Sequence, residues 1–510
     1  YFTDKENVNE AISNPLTILT QKAIDRKSMH GIAIDTRDVP VNEAYITQLK
    51  NEPGITVWAK SKWFNAVHVR GTETDINMLL NLSFVGQIEF ADRSLNGNRS
   101  GLAYQNKFSI ETSRADFNYG NTQNQVEMLN VQLLHQADYT GNGITVAVLD
   151  AGFPNVDTGD AFQRLRDNAN LLGGYDFVDR VEDVYAFTGN DHGTKVLSTM
   201  AGFVQDQFVG TAPDAQYFVF RTEDVFSETP VEESYWVEAA ERADSLGVDI
   251  INTSLGYKNY DNPNYSYTNE DMNGLTAFIT RGANIASEKG ILLVNSAGNS
   301  GANGVNAPAD SPLVFSIGAV DENGDYVGFS SQGNAFQPTL KPDVVARGAQ
   351  SFVINGNGTI VQNNGTSFSS PILAGAAASL WQAFPQMTNT QIKDFIRESA
   401  SQYTMPDFFL GYGLPDFQIA LEIGLEVQAS QQTEFKIFPN PVTDVFQILF
   451  PGQIDRARML VFDILGQLIL DTTIVDDQGE INVENLSGGL YLVRLEAANS
   501  SSKTFKLIKK

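Results

Sequence analysis

Gly143-Ile144-Thr145-Val146-Ala147-Val148-Leu149-Asp150 is the stretch from which the fold of this 510-residue chain is read. It is a short apolar run without alternation, opened by glycine and closed by an acid. Such a run predicts a strand buried on both faces, as in a parallel sheet. Ile291-Leu-Leu-Val-Asn-Ser296, which leads into the glycine-rich turn Ala297-Gly298-Asn299-Ser300-Gly301, has the same character. Between and after these runs, Lys195-Val-Leu-Ser-Thr-Met-Ala201 and Ser370-Pro371-Ile-Leu-Ala-Gly-Ala-Ala-Ala-Ser-Leu-Trp381 are helix-compatible. The second is too apolar for a surface helix. The expected fold class is α/β, a parallel sheet flanked by helices. An acid where a strand of such a sheet ends is placed for an active site; it also serves simply as a turn former.

Working outward from Asp150, the histidines narrow the choice, because there are only four. His30 and His68 fall in an N-terminal region that reads as a separate domain, and His135 lies in a polar segment with no glycine beside it. His192, in Asp191-His192-Gly193-Thr194, alone has small neighbours that let the backbone pack tightly. Ser367 stands in Gly365-Thr366-Ser367-Phe368-Ser369-Ser370-Pro371, near the start of the apolar helix. Proline is tolerated in a first helical turn, and a helix start favours negative charge. Ser367 is there either a nucleophile or a helix cap, a role open equally to Ser369 and Ser370. A serine hydroxyl becomes a strong nucleophile when an imidazole takes its proton and a carboxylate orients that imidazole.

The order Asp150, His192, Ser367, together with these surrounding motifs, resembles the subtilisin-like serine proteases. Further strings carry the resemblance: Ser254-Leu255-Gly256, Val209-Gly-Thr-Ala-Pro213, Lys341-Pro-Asp-Val344 and Gly411-Tyr-Gly413-Leu-Pro-Asp416. It implies a subtilisin-like sheet and a catalytic triad of Asp150, His192 and Ser367. It also implies an oxyanion hole of the Asn299 side chain and the Ser367 N–H. Ser254, Leu255 and Gly256 would offer a strand edge to an extended substrate. Ser296, Ala297 and Gly298 would form one wall of the primary pocket, with Asn306 at its base, polar and ill suited to a large aromatic side chain. Two positions depart from the family pattern. Ala151 stands where Ser or Thr is usual, which removes a hydroxyl near Asp150, and Ser369 replaces the usual alanine. The alternative is a catalytically inactive binding protein on the same scaffold.

Composition sets the limits. With no cysteine, disulfides, thiolate metal sites and a cysteine nucleophile are excluded. The formal charge is −27, and nearly all the excess acid lies between Asp116 and Glu426. Phosphate-rich partners are disfavoured, so nucleic acid is not expected. The acid reads as a solubilising surface or as structural calcium at turns such as Asp321-Glu-Asn-Gly-Asp325, with no ligands assigned; the chemistry itself needs no cofactor. No run is long enough to span a membrane, and the start at Tyr1 suggests that a signal has been removed.

Three domains are expected. Residues 1–115 read as a small α+β domain, with strands at Ile55–Ala59, Ala66–Arg70 and Phe84–Phe90 and a helix at Asp75–Leu82. This region resembles subtilase prodomains, which assist folding and inhibit the site; the other reading is a permanent accessory domain. Its polar end, Arg93–Asn118, would be a processing linker cut by the enzyme itself. Residues 116–426 would be the catalytic domain. After a polar linker, Gln428–Thr433, residues 427–510 read as a small β-sandwich. The Pro439-Asn440-Pro441 start, Leu486-Ser-Gly-Gly-Leu-Tyr491 and the basic end Lys506–Lys510 resemble a type IX secretion sorting domain. The alternative is a substrate- or carbohydrate-binding sandwich. The resemblances imply protein or peptide substrates, the secretion machinery as a partner, and a secreted or outer-surface location.

Overall fold

In the computed structural model, residues 1–92, 95, 117–431, 435–450, 454, 456–475, 481–497 and 502–510 are described. The chain forms two compact units, Tyr1–Glu422 and Ile423–Lys510.

The first unit is organised by a seven-stranded, all-parallel sheet. Its strands in chain order are β1 Thr145–Asp150, β2 Leu171–Asp176, β3 Gln216–Arg221, β4 Ile250–Thr253, β5 Leu292–Ser296, β6 Phe315–Val320 and β7 Val344–Arg347. Across the sheet they run β7-β6-β5-β4-β1-β3-β2. All six residues of β1 are buried, as the uninterrupted apolar run requires. From β1 the chain winds first to one side and then to the other. The switch point therefore lies at the carboxyl end of β1, where β3 and β4 flank Asp150.

Helices cover both faces. Those that position the site are α1 His192–Ala201, α2 Val231–Leu246, α3 Phe278–Glu288 and α4 Thr366–Ala383. Helix α4 is buried along nearly its whole length, as its small apolar residues predict. Pro371 lies inside this helix, not in its first turn as expected. A proline N cannot bond the carbonyl four residues earlier, so the carbonyl of Ser367 is freed. The Ser254 hydroxyl donates to it at 2.9 Å.

The N-terminal segment of the first unit packs on α2 and α3. The hairpin Thr56–Ser61 and Ala66–Arg70 is antiparallel, and Ala59 and Trp63 share a core with Tyr235, Trp236 and Val237 of α2. The turn after the first hairpin strand is capped by buried Glu241, whose carboxylate accepts from Lys62 N at 2.8 Å and Trp63 N at 3.0 Å. Buried Asp244 accepts from Arg26 (2.6 Å) and Lys27 (2.8 Å), and buried Lys289 pairs with Asp38 (2.6 Å). Burying charge is tolerated only in such paired arrangements. The helix expected at Asp75–Leu82 is found as Glu73–Met78 followed by a 3-10 turn, Leu79–Asn81. The strand expected at Phe84–Phe90 is not found as one: a single bridge, Phe2 to Val85, with bonds from Thr3 N to Phe84 O and from Gly86 N to Tyr1 O, pairs only its start, and that is too short for a ladder. Most of the proposed processing linker, residues 93–94 and 96–116, lies outside the described residues.

The second unit has a three-stranded sheet (Lys436–Phe438, Val445–Leu449, Ile481–Asn482) and a four-stranded antiparallel sheet (Leu468–Val475, Arg456–Phe462, Gly489–Glu496, Lys503–Lys509). Phe446 and Ile448 of the first join Met459, Val461 and Val493 of the second in one core, which makes a small sandwich. The segment expected to be a linker is helical as far as Gln431, within Phe417–Gln431. Ala and Gln are good helix formers, and extending an existing helix is far easier than starting one.

Candidate active site

Asp150 is the last residue of β1 and fully buried. Its Oδ1 accepts from Ala151 N at 2.7 Å and is 2.7 Å from Nδ1 of His192. His192 opens α1, one residue after Asp191, whose carboxylate pairs with Lys195 at 2.7 Å and accepts from Gly356 N at 3.0 Å. A Cβ on Gly193 would stand 2.6 Å from the carbonyl of Gly152, so glycine is what lets the segments carrying Asp150 and His192 abut. Burial pushes the His192 imidazolium pKa down, but the charge of Asp150 and its hydrogen bond outweigh this and leave it above 6.5. The other histidine of this region is structural. His135 is buried between the Tyr119 hydroxyl (2.8 Å) and the Thr211 carbonyl (3.0 Å).

Ser367 is the second residue of α4. Its hydroxyl donates to the carbonyl of Ser254 at 3.3 Å, while the ring of its neighbour Phe368 lies 5.8 Å from that of His192. Ser254 follows β4 and accepts in turn from Asn252 (3.2 Å), which also takes a bond from Ser370 (2.9 Å). This chain of bonds pins the start of α4 to the end of β4. The replacement at Ser369 is accommodated, because its buried hydroxyl donates to Thr366 O at 3.1 Å.

Asn299, exposed after β5, has its amide oxygen fixed by Thr366, through the backbone N at 2.9 Å and the hydroxyl at 3.0 Å. Its NH2 therefore faces away from Thr366. Ser367 N, in the first turn of α4, has no intrahelical acceptor. Both nitrogens lie close to Gly365: a Cβ there would stand 3.5 Å from the Asn299 Nδ2 and 3.7 Å from Ser367 N. Asn299 Nδ2 and Ser367 N thus border one small space, open because residue 365 is glycine at φ +146°. The sequence reading quoted Gly365 and Thr366 but gave them no role; their neighbourhood to Asn299 exists only in the folded chain.

Leu255 and Gly256 continue from Ser254, and Tyr257 pairs with Ala307 in both directions (2.8 and 3.1 Å). A Cβ on Gly256 would meet the Cβ of Asn306 at 2.9 Å, and one on Gly298 would lie 3.5 Å from its Nδ2. Asn306 thus sits between Gly256 and the Ala297-Gly298 segment. Its Oδ1 is buried without a hydrogen-bond partner. At the other expected feature, Asp321 Oδ1 accepts from Asn323 N (2.8 Å) and Asp325 N (3.1 Å), as in a capped turn. Among the described residues no group of three or more acids and histidines is placed to hold a metal ion.

Comparison with known proteins gives the family. Residues 141–413 match the subtilase family. The chain belongs to that family. Residues 1–109 match the peptidase S8 propeptide domain of Bacteroidota, and residues 436–510 the secretion system C-terminal sorting domain. Among curated relatives of this subtilase, Subtilisin E of Bacillus subtilis (strain 168) is 31% identical over 302 residues, covering 58% of this chain and 70% of its own. Subtilisin of Bacillus pumilus is 31% identical over 302 residues and covered to 98%. Among solved structures, MycP1 with its N-terminal propeptide removed aligns at 24% identity over 58% of this chain and 96% of its own, with a TM-score of 0.46. The subtilase is a subtilisin-like serine endopeptidase with a propeptide, and its sorting domain marks it as secreted or held at the cell surface. Among the described residues no helix is long and apolar enough to cross a membrane.

Proposed function

We propose that this subtilase hydrolyses peptide bonds through Asp150, His192 and Ser367 and an acyl-enzyme. The observation that carries the reading is the 2.7 Å bond between His192 and buried Asp150 at the sheet's switch point. Ser367 turns from the Ser254 carbonyl to His192 Nε2 and attacks the scissile carbonyl carbon as its proton passes to the imidazole. The oxyanion so formed takes hydrogen bonds from Asn299 Nδ2 and Ser367 N in the space before Gly365. Collapse breaks the C–N bond, His192 returns the proton to the leaving amine, and water repeats the sequence to free the acid. No cofactor enters these steps. Asp150 keeps His192 in the tautomer with Nδ1 protonated.

Substrate runs along Ser254, Leu255 and Gly256, and its side chain before the cut enters the pocket of Ser296, Ala297, Gly298 and Asn306. The unengaged Asn306 amide favours small or polar side chains; a cleavage profile dominated by phenylalanine at that position would overturn this. Residues 1–115 act as an inhibitory and folding propeptide removed by the enzyme itself, 116–426 as the catalytic domain and 427–510 as the part read by the secretion machinery. Fluorophosphonate labelling with peptide mapping, before and after propeptide release, tests the whole reading. A single adduct on Ser367 that grows after release, and is absent in Ser367→Ala, is expected. No adduct on a folded, processed protein would leave a binding protein on a subtilase scaffold.

A further inference from the structure

A pair of buried carboxyl groups lies beside this site and takes no part in the steps above. Glu223 is the second residue after β3, and Glu232 is on the first turn of α2. Glu232 is fully buried, and its two oxygens accept from Asp224 N and Thr229 N, each at 2.9 Å, so it holds the 224–229 loop. Glu223 accepts from the hydroxyl of buried Tyr257 at 3.0 Å, and the backbone N of the next residue, Asp224, is one that Glu232 holds. Its other oxygen, Oε1, is buried and, counted as an acceptor, has no partner.

The groups facing Glu223 are Glu232 from α2, Glu228 from the loop and the Tyr257 phenol from the segment after β4. Asp224 accepts from Phe226 N and the Ser227 hydroxyl, and Asp261 from Glu228 N. Among the described residues no lysine or arginine pairs with Glu223, Glu228 or Glu232. Two adjacent carboxylates without a cation cannot both be ionised in such a place at modest cost. One proton removes the conflict: on Oε1 it turns a partnerless acceptor into a donor. Burial and then the neighbouring acids push Glu223 well above the carboxylate range, and burial raises Glu232 to about 7.

The position gives the pair a consequence. The 224–229 loop follows β3 and the 254–257 segment follows β4, the two strands on either side of β1. They flank Asp150, and the loop carries an apolar tip at Phe226, 81% exposed. We propose that Glu223 is a protonated positioning residue that, through Glu232 and Tyr257, holds the two walls of the substrate groove at a fixed separation. The inference rests on the protease reading for the identity of the groove, but not for the proton.

The test uses the processed full protein, with the active fraction counted by fluorophosphonate labelling. Infrared difference spectroscopy of wild type against Glu223→Gln is expected to show the carbonyl stretch of a protonated carboxylic acid in the wild type alone. Glu223→Ala is expected to raise KM for an extended peptide about tenfold with kcat nearly unchanged, the loss of one buried hydrogen-bond link. Glu223→Gln, which can still donate and can accept from Tyr257, recovers most of that loss. Absence of the carbonyl band, or an unaltered KM in a folded Glu223→Ala, overturns the proposal. If Ser367 takes no label even in the wild type, it is the protease reading that fails, and the infrared band still decides the proton. Should Glu223→Ala not fold, the band still decides the proton, and Tyr257→Phe, which removes the hydroxyl that Glu223 binds, is expected to raise KM in the same way; an unaltered KM there overturns the link.

Discussion

At Asp150 the departure noticed in the sequence has a visible counterpart. Oδ1 takes both hydrogen bonds, from His192 and Ala151 N, while Oδ2 is buried with no partner. A hydroxyl at position 151, on the residue next to Asp150 in the chain, would offer a donor to this carboxylate. Burial lowers the His192 pKa, but the charge and hydrogen bond of Asp150 raise it, and a donor to Asp150 would take up part of that charge. Ala151→Ser is therefore expected to move the acid limb of kcat/KM to lower pH, read from a pH–rate profile on active-site-titrated enzyme; a limb that stays put or rises would contradict it. Asn299→Ala removes one of the two donors bordering the space before Gly365. It is expected to lower kcat by roughly 10²–10³ with KM little changed, about 2.7–4 kcal/mol.

Elements set these side chains through their ends. Helix α4 is preceded by Gly365, whose φ of +146° is open to glycine and costly for other residues. Gly365→Ala adds backbone strain of roughly 1–3 kcal/mol and puts a methyl into the space that Asn299 and Ser367 N border. Activity is expected to fall far more than the thermal midpoint, since the change touches the helix start and leaves its buried body intact. Parallel melting and kcat measurements separate the two; an equal loss in both would mean that the helix itself is disturbed. The interior Pro371 belongs to the same logic. It frees the Ser367 carbonyl for Ser254, and so ties α4 to β4 at the point where the proposed nucleophile sits.

For the molecule as a whole, the contact between the propeptide region and α2 and α3 carries its own pH dependence. Burial raises Glu241 from 4.5 to about 7, so its contribution to docking is complete below 4.5 and is lost as pH rises through about 7. His68, 2.8 Å from Ser234, is lowered by burial from 6.5 to about 4, so its contribution is complete above 6.5 and is lost as pH falls through about 4. His30, bonded to Pro385 O at 3.2 Å, is lowered in the same direction. Retention of the cleaved N-terminal segment, followed by size exclusion on processed Ser367→Ala with the linker cut in trans, is thus expected to peak at mildly acidic pH. Glu241→Gln should flatten the alkaline side only. The sequence by itself determined the parallel sheet, the order of the Asp, His and Ser motifs, the apolar helix behind Ser367 and the three-part organisation, because these rest on local runs, short motifs and composition. It misread Phe84–Phe90 and the segment before Gln431, where strand or helix depends on a partner or on an existing helix. Only the tertiary structure decided that Asp150 meets His192 at 2.7 Å, that Thr366 fixes the Asn299 amide, and that Glu223 reaches Tyr257 across the end of β1. Each joins residues tens of positions apart, and the distance between such groups is set by how strands stack in the sheet, which no local run of residues encodes.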